Sequence, residues 1–196
     1  MKALIFIPDI SGFTNFVKNI DIDLGVSITS DLLNEIIDSN PLDIEISEIE
    51  GDAILFYKIG KPLSLESVFA AFKSMYDAFT SKYKSLKALH NIEAELSLKF
   101  IVHYGDINVY DIKGFKKLYG KTVIESHCLL KNGNGQSNYV LITEDYLQAL
   151  ESSRVAIVDS WKFNSSTWKV LEGLRTVAYN FYNYTNTDLT QCRVAL

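Results

Sequence analysis

The run Ala3-Leu4-Ile5-Phe6-Ile7 places five apolar side chains in succession, and Pro8-Asp9 then interrupts it. A strand with one wet face alternates apolar and polar residues; an unbroken run has no wet face. These residues therefore predict a central strand covered on both sides, with Asp9 at its end. A chain of 196 residues can bury on the order of 70 % of the surface that its extended form exposes. One domain with an ordinary core is expected, with neither metal nor disulfide needed to hold it. Hydrophobic residues at 47 % with only three prolines exclude the disordered and collagenous classes.

The segments after the first run supply its cover. Phe13, Phe16 and Val17 recur at helical spacing after Gly12, and Ile28, Leu32, Leu33, Ile36 and Ile37 mark a second helix from about Val26 to Ile37. Leu42 to Ile49 alternates like a strand, Glu50-Gly51-Asp52 reads as a tight turn, and Ala53 to Tyr57 resumes as an apolar strand. Ser64 and Ser67 offer capping groups to a long helix running to about Leu89, with Val68, Phe72, Met75, Phe79 and Tyr83 on one face. Ala94 to Tyr104 is a strand with Leu96, Leu98, Phe100 and Val102 on one side and Lys99, Ile101 and His103 on the other. Leu118 to Lys131 predicts a helix, Asn132-Gly133-Asn134-Gly135 a break, Val140 to Ile142 a short strand and Glu144 to Leu150 a short helix. Trp168 to Leu171 and Thr176 to Phe181 predict a terminal hairpin. This order fits an α+β fold: a ferredoxin-like split βαβ sheet with helices on one face and a strand-rich C-terminal extension. A single domain spans residues 1–185, and 186–196 form a tail.

Nineteen basic against twenty-four acidic side chains give a net charge of -5, the wrong sign for a protein that neutralises nucleic-acid backbones. The apolar run near the start is too short for a membrane span or a signal-peptide core, so no membrane partner and a cytoplasmic location are expected. Cys128 and Cys192 have no neighbouring thiols and read as free.

The residues with chemistry to offer are Asp9, after a buried strand, and Asp52, at a hairpin tip. In a split βαβ sheet the first strand and the hairpin are neighbours, so the two carboxylates can converge on one Mg²⁺ or Mn²⁺, hard ions that keep waters and accept phosphate oxygens. The competing reading makes Asp9 a helix cap and Asp52 a turn residue.

Five segments carry a resemblance. Phe6-Ile7-Pro8-Asp9-Ile10-Ser11-Gly12-Phe13-Thr14 and Ile49-Glu50-Gly51-Asp52-Ala53-Ile54-Leu55 are similar to the two metal motifs of the class III nucleotidyl cyclases. Lys99 to Gly105 is similar to their strand ending in His-x-Gly, Gly120-Lys121-Thr122-Val123 to the Gly-x-x-Val that opens the next helix, and Leu171-Glu172-Gly173-Leu174 to the Lys-Gly step before the last strand. The resemblance spans about residues 3–181, is nearest to an uncharacterised bacterial branch of that superfamily, and implies the same ferredoxin-like fold. It implies Asp9, Asp52 and the backbone carbonyl of Ile10 as metal ligands for Mg²⁺ or Mn²⁺. Gly12 and Phe13 would line a purine nucleoside triphosphate, and Glu48 and Lys117 take the base-reading positions. Glu48 matches the guanine-type residue, and Lys117 departs from the usual Asp, Thr or Cys. It also implies a head-to-tail homodimer, to which Val123, Ile124, Leu129 and Leu130 would offer an apolar helix face.

The catalytic positions of the resemblance are altered. Ile124 stands where the family has the transition-state Asn, Cys128 where it has Arg, and Glu172 where it has the triphosphate-binding Lys. The expectation is a cyclase-homology domain that binds metal and nucleotide with the transition-state groups lost. The alternatives are a non-catalytic dimeric regulatory domain, or a nucleotide enzyme of altered chemistry. Lys113, Lys116, Lys117 and Lys121, with Glu125, His127 and Lys131, are then either substitutes or a solvated loop and helix face. His103 reads as a packed strand histidine at the dimer seam, and His90 as a residue at a helix end.

Overall fold

The computed structural model describes residues 1–131, 138–153, 166–171 and 173–183. Its first strand, β1 (Lys2–Ser11), is longer than the apolar run suggests and carries Pro8 and Asp9 within it. Asp9 is therefore not at the strand's end. The proline is tolerated because of where its missing N–H falls. Ile10 N–H donates to the Asp52 carbonyl at 3.1 Å, so the even-numbered residues of β1 turn their amides toward β3 (Ala53–Ile59), and Pro8 sits where the β1–β3 ladder skips from Phe6↔Phe56 to Asp9↔Ala53. Toward β4 (Ser97–Asp106) the register is continuous from Lys2↔Asp106 to Ser11↔Ser97.

Helix α1 (Phe13–Lys18) leads into α2 (Ile22–Asp38), whose Asp21 N-cap accepts from the amides of Asp23 and Leu24 and which buries Ile28, Leu32 and Ile36. Strands β2 (Glu45–Glu50) and β3 form the expected hairpin across Gly51-Asp52. Helix α3 (Leu65–His90) starts at Ser64, which accepts from Ser67 N–H, and ends with His90 before a left-handed Asn91. After β4 comes a two-stranded sheet of its own, β5 (Asn108–Ile112) paired with β6 (Phe115–Tyr119). The expected helix from Leu118 thus begins only at α4 (Lys121–Leu130), and the lysines before it belong to a hairpin rather than a loop. Strand β7 (Tyr139–Thr143), helix α5 (Glu144–Ser152) and the hairpin β8 (Ser166–Val170) and β9 (Thr176–Asn183) complete the chain. The Asn132–Gly135 break, Glu172, Cys192 and the tail 186–196 lie outside the described residues.

The main sheet runs β2-β3-β1-β4-β7-β9-β8. Its first four strands are the split βαβ unit: β3 lies between β2 and β1, antiparallel to both, and β4 flanks β1 antiparallel. Strand β7 joins β4 in parallel and β9 and β8 extend the sheet antiparallel. One face, with Leu4, Phe6, Phe100 and Val102, packs on α1, α2, α3 and α5. The other, with Ala3, Ile5, Ile7 and Ile101, packs on α4, through Leu129 with Val123 and Leu130, and on the β5–β6 hairpin, through Val109 and Leu118. Strand β1 is thus covered on both sides, as its unbroken apolar run requires. The helices are not confined to one face, since α4 stands apart from the others.

Candidate functional site

Odd-numbered residues of β1 and β4 point to the α4 face, and this sets the site. Asp9 on β1 stands directly opposite Lys99 on β4, and the β2–β3 turn brings Asp52 beside them. Lys99 Nζ lies 3.5 Å from Asp9 Oδ1, with side-chain exposures of 18 % and 14 %. Burial pushes the Asp9 carboxyl up to about 6; Lys99 opposes the shift and the neighbouring Asp52 charge adds to it. Asp52 is also raised, by burial, against its own backbone hydrogen bond and Lys99. Helix α1 has Gly12 at its N-cap with no side-chain cap, so Asp9 is not the capping residue that the competing reading makes it. Gly12 holds φ +89°, and a Cβ there would collide with the Glu95 carbonyl oxygen. Only glycine closes the turn that follows β1.

These residues share a cleft of about 970 Å³ with Ile10, Gly12, Phe13, Glu48, Ile124 and Cys128. The structure thus brings together every expected metal and nucleotide residue except Lys117, which approaches the cleft only through Glu48. Lys117 Nζ donates to Glu48 Oε2 at 2.8 Å, and that contact holds its ammonium pKa above the usual lysine value. His127 Nε2 lies 3.4 Å from the other Glu48 oxygen, Oε1. Ile124 is 52 % exposed and Cys128 partly buried, so the positions that carry donors in the resembling family present a methyl-rich surface and a thiol. Two lysines cover the C-terminal carbonyls of α4 beside the cleft: Lys99 at Leu130 O, 3.5 Å, and Lys169 at Cys128 O, 2.8 Å.

Behind α4 lies a buried polar cluster that corrects two expectations. His103 is wholly enclosed within the chain rather than at a seam; Nδ1 is 2.9 Å from Thr143 Oγ1 and Nε2 3.0 Å from Glu125 Oε2. Glu125 is not on a solvated face: Arg175 grips both its oxygens, at 2.7 and 2.9 Å, and reaches Asp145 Oδ1 at 3.0 Å. The His103 hydrogen bond and the Arg175 guanidinium hold the Glu125 carboxyl down to about 2 against burial. The cluster ties α4, β4, α5 and the turn before β9 together.

As a metal centre the donor set is lean. Among the described residues no group of three or more His, Cys, Asp or Glu side chains is placed to hold an ion. Two carboxylates desolvated without a full counter-charge fit a hard ion that retains water and ligand oxygens, as Mg²⁺ and Mn²⁺ do. Sequence reading does not single out Lys99 as a site residue; the signal is there in the inward side of the β4 alternation, where a lysine has no place unless it meets a charge.

A family model described as "Protein of unknown function (DUF2652)" matches residues 29–139. The uncharacterized protein Rv2561/Rv2562 of Mycobacterium tuberculosis is 29 % identical over 129 residues, 62 % of this chain, and the chain spans about 60 % of the length of that curated relative. Among solved structures, the guanylyl cyclase Cya2 aligns with a TM-score of 0.70 at 16 % identity, covering 95 % of this chain and 94 % of that one. The adenylyl cyclase CyaB from P. aeruginosa aligns at 0.67 and 14 % identity, covering 94 % and 95 %. A class III adenylyl cyclase-like ATP-binding protein from Pseudomonas aeruginosa aligns at 0.59 and 16 % identity, over 76 % of this chain and 34 % of that one. The fold is that of the class III nucleotidyl cyclase domains.

Proposed function

The chain belongs to the family described as protein of unknown function (DUF2652), whose model covers more than half of it, and from that membership and the cyclase fold we propose that it is a cyclase-homology domain binding a divalent cation and a purine nucleoside triphosphate, without ordinary cyclase turnover. The observation that carries the reading is the half-buried Asp9–Asp52 pair beside Lys99. Partly desolvated carboxylates, with the Asp52 charge adding to the cost of ionising Asp9, are stabilised when a cation arrives. Mg²⁺ or Mn²⁺ would be held by Asp9 and Asp52 with the Ile10 carbonyl, and when bound supplies charge neutralisation for phosphate oxygens. Lys99 adds a fixed ammonium at the same spot, and Gly12 and Phe13 leave the cleft wall open for a ligand.

The turnover half of the reading rests on α4. Removing one preorganised donor to a developing oxyanion costs about 10² to 10³ in rate, and an arginine on a phosphoryl transition state about 10³ to 10⁵. Ile124 and Cys128 can supply neither. Two lysines that could have substituted are engaged: Lys117 with Glu48 and Lys116 with Glu45 at 3.6 Å. A similar structure described as a cyclase-like ATP-binding protein supports binding as a use of this fold. The test is equilibrium binding of GTP and ATP with Mn²⁺, paired with a cyclisation assay. Metal-dependent binding that Asp9→Asn abolishes, with turnover far below one per second, is expected. Rapid cyclisation would overturn the reading of α4, and binding indifferent to Asp9→Asn would overturn the metal site.

A further inference from the structure

Lys99 lies on the α4 face of β4, where the next pair along the β1–β4 ladder is the buried Ile7 and Ile101. Its side chain is only 18 % exposed, so its charge must be answered largely within the chain. Acceptors on two different elements meet it: Asp9 Oδ1 on β1 at 3.5 Å and the Leu130 carbonyl at the end of α4, also at 3.5 Å. The same ammonium acts on Asp52 and opposes the burial that raises both carboxyls. The two carboxylates thus already have a cation, tethered directly across the ladder from Asp9.

One positive charge set against two ionised carboxylates leaves a negative charge over, so the pair still attracts a divalent ion. That ion is also repelled by the ammonium, and in a partly desolvated cleft the repulsion is weakly screened. Helix α4 offers the ammonium a second anchor, since the C-terminal carbonyls of a helix carry partial negative charge.

We infer that Lys99 is a tethered counter-ion competing with the divalent cation for Asp9 and Asp52, so that the ion enters by exchange and binds more weakly than the carboxylates alone would hold it. This rests on the metal reading above and deepens it, without invoking a nucleotide or a second chain. The metal-free chain keeps its carboxylates together with no ion present. A monovalent ion brings no more charge than the ammonium already there, which leaves the site to divalent ions. When the ion binds, Lys99 gives up Asp9 Oδ1 and keeps the Leu130 carbonyl.

Titration of the full-length chain with Mn²⁺ alone, followed by the electron paramagnetic resonance signal of the free ion, tests this. It is run at pH 8, well above the ionisation of Asp9 at about 6, so that protons compete little. Lys99→Met, and independently the more polar Lys99→Gln, should bind Mn²⁺ tenfold or more tighter than the natural chain. Lys99→Arg keeps the charge and should stay within about threefold of it. Affinity unchanged or weakened in both neutral variants, or raised as much by Lys99→Arg, overturns the counter-ion role and leaves the metal site standing. Absence of Mn²⁺ binding in all four chains, or binding by Lys99→Met that survives Asp9→Asn with Asp52→Asn, overturns the metal site itself and the inference with it.

Discussion

Asp9 is a half-buried and Glu125 a buried carboxylate on the α4 side of the sheet, and their surroundings give them opposite pH signatures. Asp9 ionises at about 6 in the fold against 3.8 when exposed, so the folded state binds its proton more tightly. The cost of ionisation is absent below about pH 4, grows through pH 6 and is full above it, on the order of 2–3 kcal/mol. Without divalent metal, melting temperature should therefore rise as pH falls from 7.5 to 5, and Asp9→Asn should be more stable than the natural chain at pH 7.5 with a flatter profile. A natural chain insensitive to pH over that range would contradict the burial of this carboxyl. Glu125 has the reverse sign: held to about 2 against an ordinary 4.5, it contributes stability that is fully present above about pH 4.5 and lost as pH falls through 2. Glu125→Gln leaves Arg175 with Asp145 as its remaining counter-charge and replaces the carboxylate that His103 contacts, and should cost about 2–4 kcal/mol at neutral pH by denaturant titration. Asp9 and Asp52 are legible in the sequence because a strand and a two-residue turn are local features. Lys99 and the Glu125–Arg175 pair are not, since cross-strand register and a contact across fifty positions leave no local trace.

At the scale of elements, the long helices and the strands from β1 to β4 are readable from periodicity, since each buries one stripe or both faces. The hairpin β5–β6 is not. It packs only Val109 and Leu118 inward and leaves Ile112, Phe115 and Tyr119 exposed, so its pattern carries little of the alternation that marks a half-buried strand. Pro8 misleads for a different reason: a proline normally ends a strand, and only the neighbouring strands decide whether its missing donor matters. The turn from β1 into α1 gives a sharp check on the geometry. Gly12→Ala must drive a Cβ into a backbone carbonyl at φ +89° and should destabilise by more than about 2 kcal/mol. Gly51→Ala, with a positive φ but nothing near its Cβ, should cost about 1 kcal/mol. Equal effects in a chemical denaturation series would show that the close approach to Glu95 is not real.

For the molecule as a whole, the apolar helix face expected to drive dimerisation is largely used within the chain: Leu129 is buried and Val123 and Leu130 are packed against it. Ile124 remains exposed, as do Ile46 and Ile49 on edge strand β2 and Tyr110, Ile112, Phe115 and Tyr119 on the hairpin. A homodimer is a proposal that now rests on those residues. Sedimentation at micromolar concentration should give twice the 22.2 kDa chain mass, reduced to one chain by Phe115→Lys with Ile49→Lys; a single-chain mass for the natural protein would contradict it. No helix among the described residues is long and apolar enough to cross a membrane. The most direct measurement is the melting temperature with Mn²⁺ added alone at neutral pH. An ion present at a hundred times its Kd stabilises by about 2.7 kcal/mol, which for a domain of this size is a rise of roughly 5–10 °C. The natural chain should show that rise and the Asp9→Asn, Asp52→Asn double variant should not; the same rise in both, or none in either, would contradict a divalent-cation site at Asp9 and Asp52.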